Sequence, residues 1–268
     1  MSDESAARWA LILGSSSGFG AAICRALAAD GFHIFGVHLD RRGTLPQAHQ
    51  VVADCEAAGV RCLFFNTNAA DDKRRGKVVD SIAETLAEDG GTLTVLMHSL
   101  AFGSLKNLVR PVGDEDGVVS AKQMVMTQDV MANSLVWWTQ DVVHRGLMTE
   151  GGRIFAMTST GARQVTPAYG VVSSAKAALE AHVRQLAYEL LERKITVNAI
   201  CAGVTETAAL RKIPGHEELI RKSTTKSPIS RLTHVEDVAG AICALTDPRL
   251  YWMTGNTLGI HGGEEFIG

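Results

Sequence analysis

A surplus of either charge is missing from this chain. Its 268 residues carry 26 Lys plus Arg against 29 Asp plus Glu, a net charge of −3, with no block of like charge. That excludes a basic nucleic-acid footprint. Long apolar runs are missing as well, since no stretch approaches the roughly 20 residues needed to span a bilayer. The opening Met1-Ser-Asp-Glu-Ser is acidic, where a secretory signal would be basic and then apolar. Five cysteines (Cys24, Cys55, Cys62, Cys201, Cys243) are scattered without a Cys-x2-Cys pair, and the nine His show no ligand spacing. Neither a structural metal nor a disulfide is expected. Aromatic residues make up only 6% and include three Tyr, so each phenol is conspicuous. A soluble, cytoplasmic protein is expected, with no nucleic-acid or membrane partner.

What the chain does have is a repeating alternation. Short apolar runs at 9–13, 34–39, 62–65, 93–97, 153–157, 195–200 and 257–260 read as strands. Helical patterns separate them at 19–30, 47–58, 77–88, 168–192 and 235–245, with a further helix ending near 148 after a polar-interrupted segment, 103–128. This pattern predicts right-handed βαβ units and a parallel sheet covered on both faces. No linker and no internal repeat divides residues 1–268. The expected fold is α/β, a single doubly wound Rossmann-type domain with about seven parallel strands.

Leu13-Gly14-Ser15-Ser16-Ser17-Gly18-Phe19-Gly20 follows the first strand and opens the first helix. Glycines there permit a tight turn, close approach of backbone to a diphosphate, and close helix–strand packing. The free N–H groups and positive dipole end of the helix suit phosphate oxygens. Dinucleotide binding is expected, with an ordinary tight βα turn as the alternative.

The G-x3-G-x-G spacing resembles the short-chain dehydrogenase/reductase family, and the resemblance runs along nearly the whole chain. Asn68 follows strand three, Asn133 matches a helix-four Asn that shapes the active site, and Ser159 ends strand five. Tyr169 and Lys176 begin the next helix, Ala202-Gly203 with Thr207 resembles the family's Pro-Gly-x3-Thr element, and Gly255 with Gly262-Gly263 resembles its closing strand. The resemblance implies that Gly14, Ser16, Gly18, Phe19 and Gly20 hold the diphosphate side of a dinucleotide and that Asn68 lies by its adenine. Ser99, Ala101, Lys176, Val204 and Thr207 are implied at its nicotinamide half. An acidic residue after strand two would bind the ribose 2′-hydroxyl of NAD, whereas Arg accepts the 2′-phosphate of NADP. His38-Leu39-Asp40-Arg41-Arg42 supplies both kinds. Asp40 falls slightly beyond the usual NAD-selecting position, and Ser17 stands where NADP-dependent relatives often carry Arg. Arg41 and Arg42 tip the expectation to NADP(H), with NAD(H) as the alternative.

Most members of that family carry Tyr-x3-Lys, which would place the phenol at Val172. Here the phenol is Tyr169, giving Tyr-x6-Lys. Seven residues at about 100° return to within roughly 20° of the starting face, so Tyr169 and Lys176 can still share one side, with the Tyr moved about 4.5 Å along the axis. This spacing, with His98-Ser99-Leu100-Ala101-Phe102 after strand four and Ala175-Lys176-Ala177-Ala178-Leu179-Glu180-Ala181, resembles the enoyl-acyl-carrier-protein reductase branch.

The implied reaction is reduction of the 2,3 double bond of an enoyl thioester carried by acyl carrier protein or coenzyme A, as in fatty acid biosynthesis. Tyr169 would bond the enolate oxygen, Lys176 would bind the nicotinamide ribose and favour the phenolate, and Ser159 would orient substrate. Ser159 departs from the second Tyr that many members have there. Residues 204–226 read as an apolar lid over the acyl chain, or else as a loop and an amphipathic surface helix. Trp137-Trp138 reads as a subunit contact in a homotetramer. Two alternatives stay open: a carbonyl or 3-oxoacyl thioester reductase, and a nucleotide-binding module without turnover.

Overall fold

Alternation along one strand sets the layers of this fold. The computed structural model describes residues 6–110, 112 and 117–266. In β1 (Arg8–Leu13), Trp9, Leu11 and Leu13 join one core while Ala10 and Ile12 join another on the opposite face. Successive side chains of a strand point to opposite faces, so a strand apolar at every position must be covered twice.

Six further strands follow: β2 (His33–His38), β3 (Cys62–Asn66), β4 (Thr92–His98), β5 (Arg153–Thr158), β6 (Thr196–Ala202) and β7 (Thr257–Ile260). All pair parallel, in the order β3-β2-β1-β4-β5-β6-β7. The order reverses between β1 and β4, and in such sheets ligands bind beyond the strand C-termini at that reversal. One face carries α1 (Gly18–Ala29), α2 (Leu45–Ala57) and α8 (Val235–Leu245). The other carries α3 (Asp72–Asp89), α5 (Ser134–His144) and α6 (Gly170–Glu189). α4 (Ala121–Gln128) runs through a π-helical turn, Asp129–Asn133, into α5, and α7 (His216–Lys226) precedes α8.

The strand expectations hold to within a residue or two, and the differences have local causes. The helix expected over 168–192 begins at Gly170, because Ala168 has a left-handed backbone, φ 58°. In the segment expected over 103–128, α4 starts at Ala121, where Ser120 and Gln123 cap each other reciprocally. Residues 1–5, 111 and 113–116 lie outside the described residues, including the acidic N-terminus. Trp138, expected at a subunit contact, is instead fully buried and donates its Nε1–H to the Ala69 carbonyl at 2.9 Å. Among the described residues no helix is long and apolar enough to cross a membrane.

Gly20 shows how tightly the first crossover is built. A Cβ there would lie 2.0 Å from the Gly14 carbonyl oxygen. Gly20→Ala should therefore lower stability by about 2–3 kcal/mol instead of giving the usual gain of a helical Gly→Ala change. Urea unfolding measures it, and an unchanged midpoint would contradict the contact.

Candidate active site

The glycine turn is pinned from two sides. The N–H groups of Gly14 and Ser15 both donate to the Val37 carbonyl of β2, at 2.8 and 3.2 Å. Gly14 has φ +91°, and a Cβ on it would lie 2.5 Å from the Ser99 carbonyl oxygen after β4. Only glycine fits that position. Gly18 has φ +54° and faces the Thr207 methyl, and Ser17, the N-cap of α1, makes no side-chain cap. The first turn of α1 thus keeps its N–H groups and positive dipole end for a ligand, which fits the diphosphate of a dinucleotide. Phe19 is half-buried against the core behind the turn. An open groove of about 800 Å³ runs from Ser16 and Gly18 along α1 to Thr207 and the head of α8. It covers the phosphate end and reaches neither Tyr169 nor Lys176.

The end of β2 is organised around Asp40. His38 Nδ1 lies 2.8 Å from its Oδ2, and the side-chain amide of Asn66, at the end of β3, bonds both its N–H and its carbonyl at 3.0 Å. Burial works against ionisation, but hydrogen bonds from Thr44, Ser16 and His38 outweigh it and hold the carboxyl below the ordinary range. Arg41 and Arg42 are exposed. Asn68 Oδ1 is taken by the Ala70 N–H at 3.0 Å, which leaves its Nδ2 donors for an adenine.

The catalytic half of the site hangs on residues 98–100 and the end of β5. His98 is fully buried and its Nε2 lies 2.8 Å from Ser134 Oγ. That hydroxyl donates to the Val130 carbonyl in the π-turn, also at 2.8 Å, so the proton between His98 and Ser134 belongs to the imidazole. Nδ1 is then a bare acceptor, and no partner meets it among the described residues. Burial first, and Lys176 second, push His98 down to about 3. Ser99 donates its N–H to the Leu13 carbonyl at 2.8 Å, and Ala101 is exposed beside it.

Lys176 is buried and donates to the Met157 carbonyl at 2.7 Å and the Leu100 carbonyl at 3.5 Å. Burial lowers it to about 8, so it stays mainly charged at neutral pH. Two of its three N–H donors are engaged and one is available. Tyr169 sits at the N-cap of α6, just off the helix, raised there by the left-handed Ala168. A Cβ on Gly161 would lie 2.5 Å from the Tyr169 ring, so that glycine makes room for the phenol. Ser159 accepts the Gly161 N–H at 3.1 Å and hydrogen-bonds the Tyr169 hydroxyl. Burial raises Tyr169 above its ordinary value, and Ser159 offsets this only in part. The expectation that Lys176 favours a phenolate is thereby corrected: desolvation prevails and the phenol keeps its proton at neutral pH.

One further expectation changes. The Val204 N–H is already bonded to the Glu264 carboxylate at 2.9 Å, so this amide is not open to a nicotinamide carboxamide. Thr207 accepts the Leu210 N–H at 3.2 Å while its methyl faces the glycine turn. The side-chain amide of Asn133 is engaged by Asp129 and His182, at 2.9 and 3.3 Å. In the expected lid, α7 buries no residue, and Leu219 and Ile220 are its half-buried apolar edge. Sequence reasoning missed Asn66, Ser134, Gly161 and Glu264, whose roles come from partners distant in the chain.

A doubly wound sheet with a glycine-turn phosphate end and a Ser–Tyr–Lys set beyond β5 defines a short-chain dehydrogenase/reductase. The family model described as enoyl-(acyl carrier protein) reductase matches residues 14–265, and the chain belongs to that family. It is 32% identical over 206 residues to the enoyl-acyl-carrier-protein reductase (NADH) FabI of a Nostoc species, covering 77% of this chain and 76% of the relative. The corresponding Bacillus cereus protein is 29% identical over 185 residues, covering 69% and 70%. The enoyl-acyl-carrier-protein reductase of Anaplasma phagocytophilum, solved with NAD, superposes with a TM-score of 0.79 at 26% identity, covering 98% of this chain and 93% of that one. These findings overturn the NADP(H) expectation: the relatives are NADH enzymes and the solved neighbour holds NAD. The physical reason lies in the Asp40 carboxylate, ionised and largely buried beside Ser16, while Arg41 and Arg42 stand in solvent.

The low proton affinity of His98 has a consequence for stability. An unfolded His98 binds a proton below its ordinary value of 6.5, and the folded one only near 3, so its contribution is complete above 6.5 and fades as pH falls towards 3. His98→Gln should lose less stability than wild type between pH 7 and pH 4.5 in urea unfolding. Equal losses would show that His98 does not titrate with folding.

Proposed function

We propose that this protein reduces the 2,3 double bond of a trans-2-enoyl thioester presented on acyl carrier protein, with NADH as reductant. The observation that carries the reading is the half-buried Tyr169 at the head of α6, hydrogen-bonded by Ser159, raised above its ordinary value by burial and set seven residues before Lys176. Bound NADH supplies a hydride to the β-carbon. The first turn of α1, with Gly14 and Gly18, would hold its diphosphate, Asp40 the adenine ribose, Asn68 the adenine, and the remaining Lys176 donor the nicotinamide ribose.

Hydride arrives two carbons away from the oxygen on which negative charge then develops. A donor serving that oxygen must stand further from the hydride-transfer centre than one serving a ketone, and Tyr169 stands one helical turn early. Because partial burial raises its proton affinity, it can donate to the thioester oxygen as charge accumulates. Ser159 fixes the phenol, and protonation at the α-carbon completes the saturated product.

Leu108, whose side chain lies against Gly170, and Val165 before Tyr169 are exposed apolar side chains beside this position, and Phe102 in the β4–α4 connection is exposed as well. They suit an acyl chain, with Leu219 and Ile220 of α7 as a further apolar edge. Met124, Val125 and Trp137 are exposed on α4 and α5, which supports subunit pairing through those helices; the homotetramer and its cytoplasmic location follow from the family reading alone.

Tyr169→Phe should lower kcat by about 100- to 1000-fold, as loss of one oxyanion donor does elsewhere, with NADH affinity nearly intact. Lys176→Ala should weaken NADH binding itself. An equal loss of affinity in both variants would refute the division of roles, and turnover of acetoacetyl but not crotonoyl thioester would replace this reaction with carbonyl reduction. In the free enzyme Lys176 is charged below about 8 and neutral above it. A plot of kcat/KM for NADH should therefore fall as pH rises through that value, and a flat profile to pH 10 would remove Lys176 from cofactor binding.

A further inference from the structure

We propose that Cys55 and Cys62 are a peroxide-reactive dithiol: a hydroperoxide oxidises Cys62, Cys55 resolves the product, and the resulting disulfide ties the end of α2 to the start of β3. All five thiols of the chain are free in this structure, so the bond forms only on oxidation. Neither residue belongs to the site described above.

Local structure brings the two side chains together. Val51 and Cys55, four residues apart on α2, are both buried, so that face of the helix lies on the sheet. Along β3 the side chains alternate: Cys62 and Phe64 pack into the layer with α1 and α2, while Leu63 and Phe65 pack on the opposite face. Cys55 and Cys62 therefore share a layer, and Cys24 of α1 belongs to the same cluster. The connection between them is a short turn. The Ala58 N–H donates to the Cys55 carbonyl at 3.0 Å and the Gly59 N–H to the Glu56 carbonyl at 2.9 Å. Gly59 has φ +85°, which ends the helical path and leads the chain into β3. Across this turn the S–H of Cys62 hydrogen-bonds the Cys55 sulfur.

Burial by itself makes a thiol inert, as at Cys24, whose proton is held well above the ordinary value by desolvation. Cys55 goes the other way. The hydrogen bond from Cys62 outweighs burial and lowers it, with the Arg25 guanidinium as the nearby cation, while the same bond raises Cys62. One proton thus serves two sulfurs, so the pair gives up its first proton more easily than separate thiols would, and its second less easily. The two sulfurs differ in access. Cys55 is fully buried, whereas Cys62 opens the edge strand β3 and is partly exposed. A hydroperoxide therefore meets Cys62. The sulfur attacks the peroxide oxygen, the O–O bond breaks, the departing oxygen leaves as water or alcohol with the thiol proton, and Cys62 becomes a sulfenic acid, oxidised by two electrons. The Cys55 sulfur then attacks the Cys62 sulfur, the S–O bond breaks, and water leaves with the Cys55 proton. Cys243 provides the contrast: it is also half-buried, but burial and the neighbouring Asp30 carboxylate push it up to about 12.

Treating the reduced full-length protein with hydrogen peroxide, then blocking free thiols and mapping peptides by mass, tests this without turnover. A Cys55–Cys62 disulfide should appear, with two hydrogen atoms lost from the intact mass, and dithiothreitol should reverse it. The pair should react about tenfold faster than Cys243. Cys55→Ser should stop at the first step, so that dimedone, which traps sulfenic acids, labels Cys62. Cys62→Ser should leave the buried Cys55 unlabelled. Bridges to other cysteines, or oxidation of the pair no faster than that of Cys243, overturn the dithiol. A Cys55–Cys62 bridge in wild type together with dimedone on Cys55 in Cys62→Ser overturns the assigned order of attack.

Discussion

The contact between Gly14 and the Ser99 carbonyl is the point on which the two halves of this site meet. At the sheet's reversal, β1 and β4 lie side by side, and the chain leaving each must turn to opposite faces. The two exits pass so closely that a single methyl group would collide with the carbonyl oxygen, 2.5 Å from where it would sit. The same residues then organise both chemistries. Upstream, the glycine turn presents the uncapped head of α1; downstream, the Leu100 carbonyl takes Lys176 and His98 locks onto the π-turn through Ser134. The glycine turn, Lys176 and the π-turn are joined through three consecutive residues, His98 to Leu100.

Burial governs the charge states around that junction. Without solvent, His98 stays neutral, Lys176 loses part of its basicity, and Tyr169 holds its proton more firmly. These shifts share one cause and act together: a neutral imidazole beneath a single buried ammonium avoids two adjacent cations, and a protonated phenol is the form able to donate to a developing oxyanion. At the opposite end of the cleft, Asp40 remains ionised because hydrogen bonds from three side chains overcome the same desolvation. Asp40 beyond β2 thus stays an anion while Lys176 on α6 stays a buried cation.

Much of this was legible in the chain. Strands apolar at every position announced a sheet covered on both faces, and the glycine turn and the Tyr-x6-Lys spacing pointed to the family. The cofactor was misread because Asp40, Arg41 and Arg42 were weighed by identity and position. What separates them is burial: the contacts to Asp40 come from His38, Asn66, Ser16 and Thr44, and Asn66 lies 26 residues away in sequence. Trp138 was misplaced for a similar reason, since adjacent tryptophans look equivalent until the helix turns one of them towards Ala69.

Residue pattern alone determined the fold class, because hydrophobic periodicity is a local property that a chain carries with it. Tertiary structure decided protonation and which backbone amides stay open. Each of these depends on how much water is displaced and on which distant groups arrive: Glu264 at Val204, Ser134 at His98, Ser159 at Tyr169. Desolvation and hydrogen-bond completion are properties of an enclosed volume, and no stretch of sequence contains one.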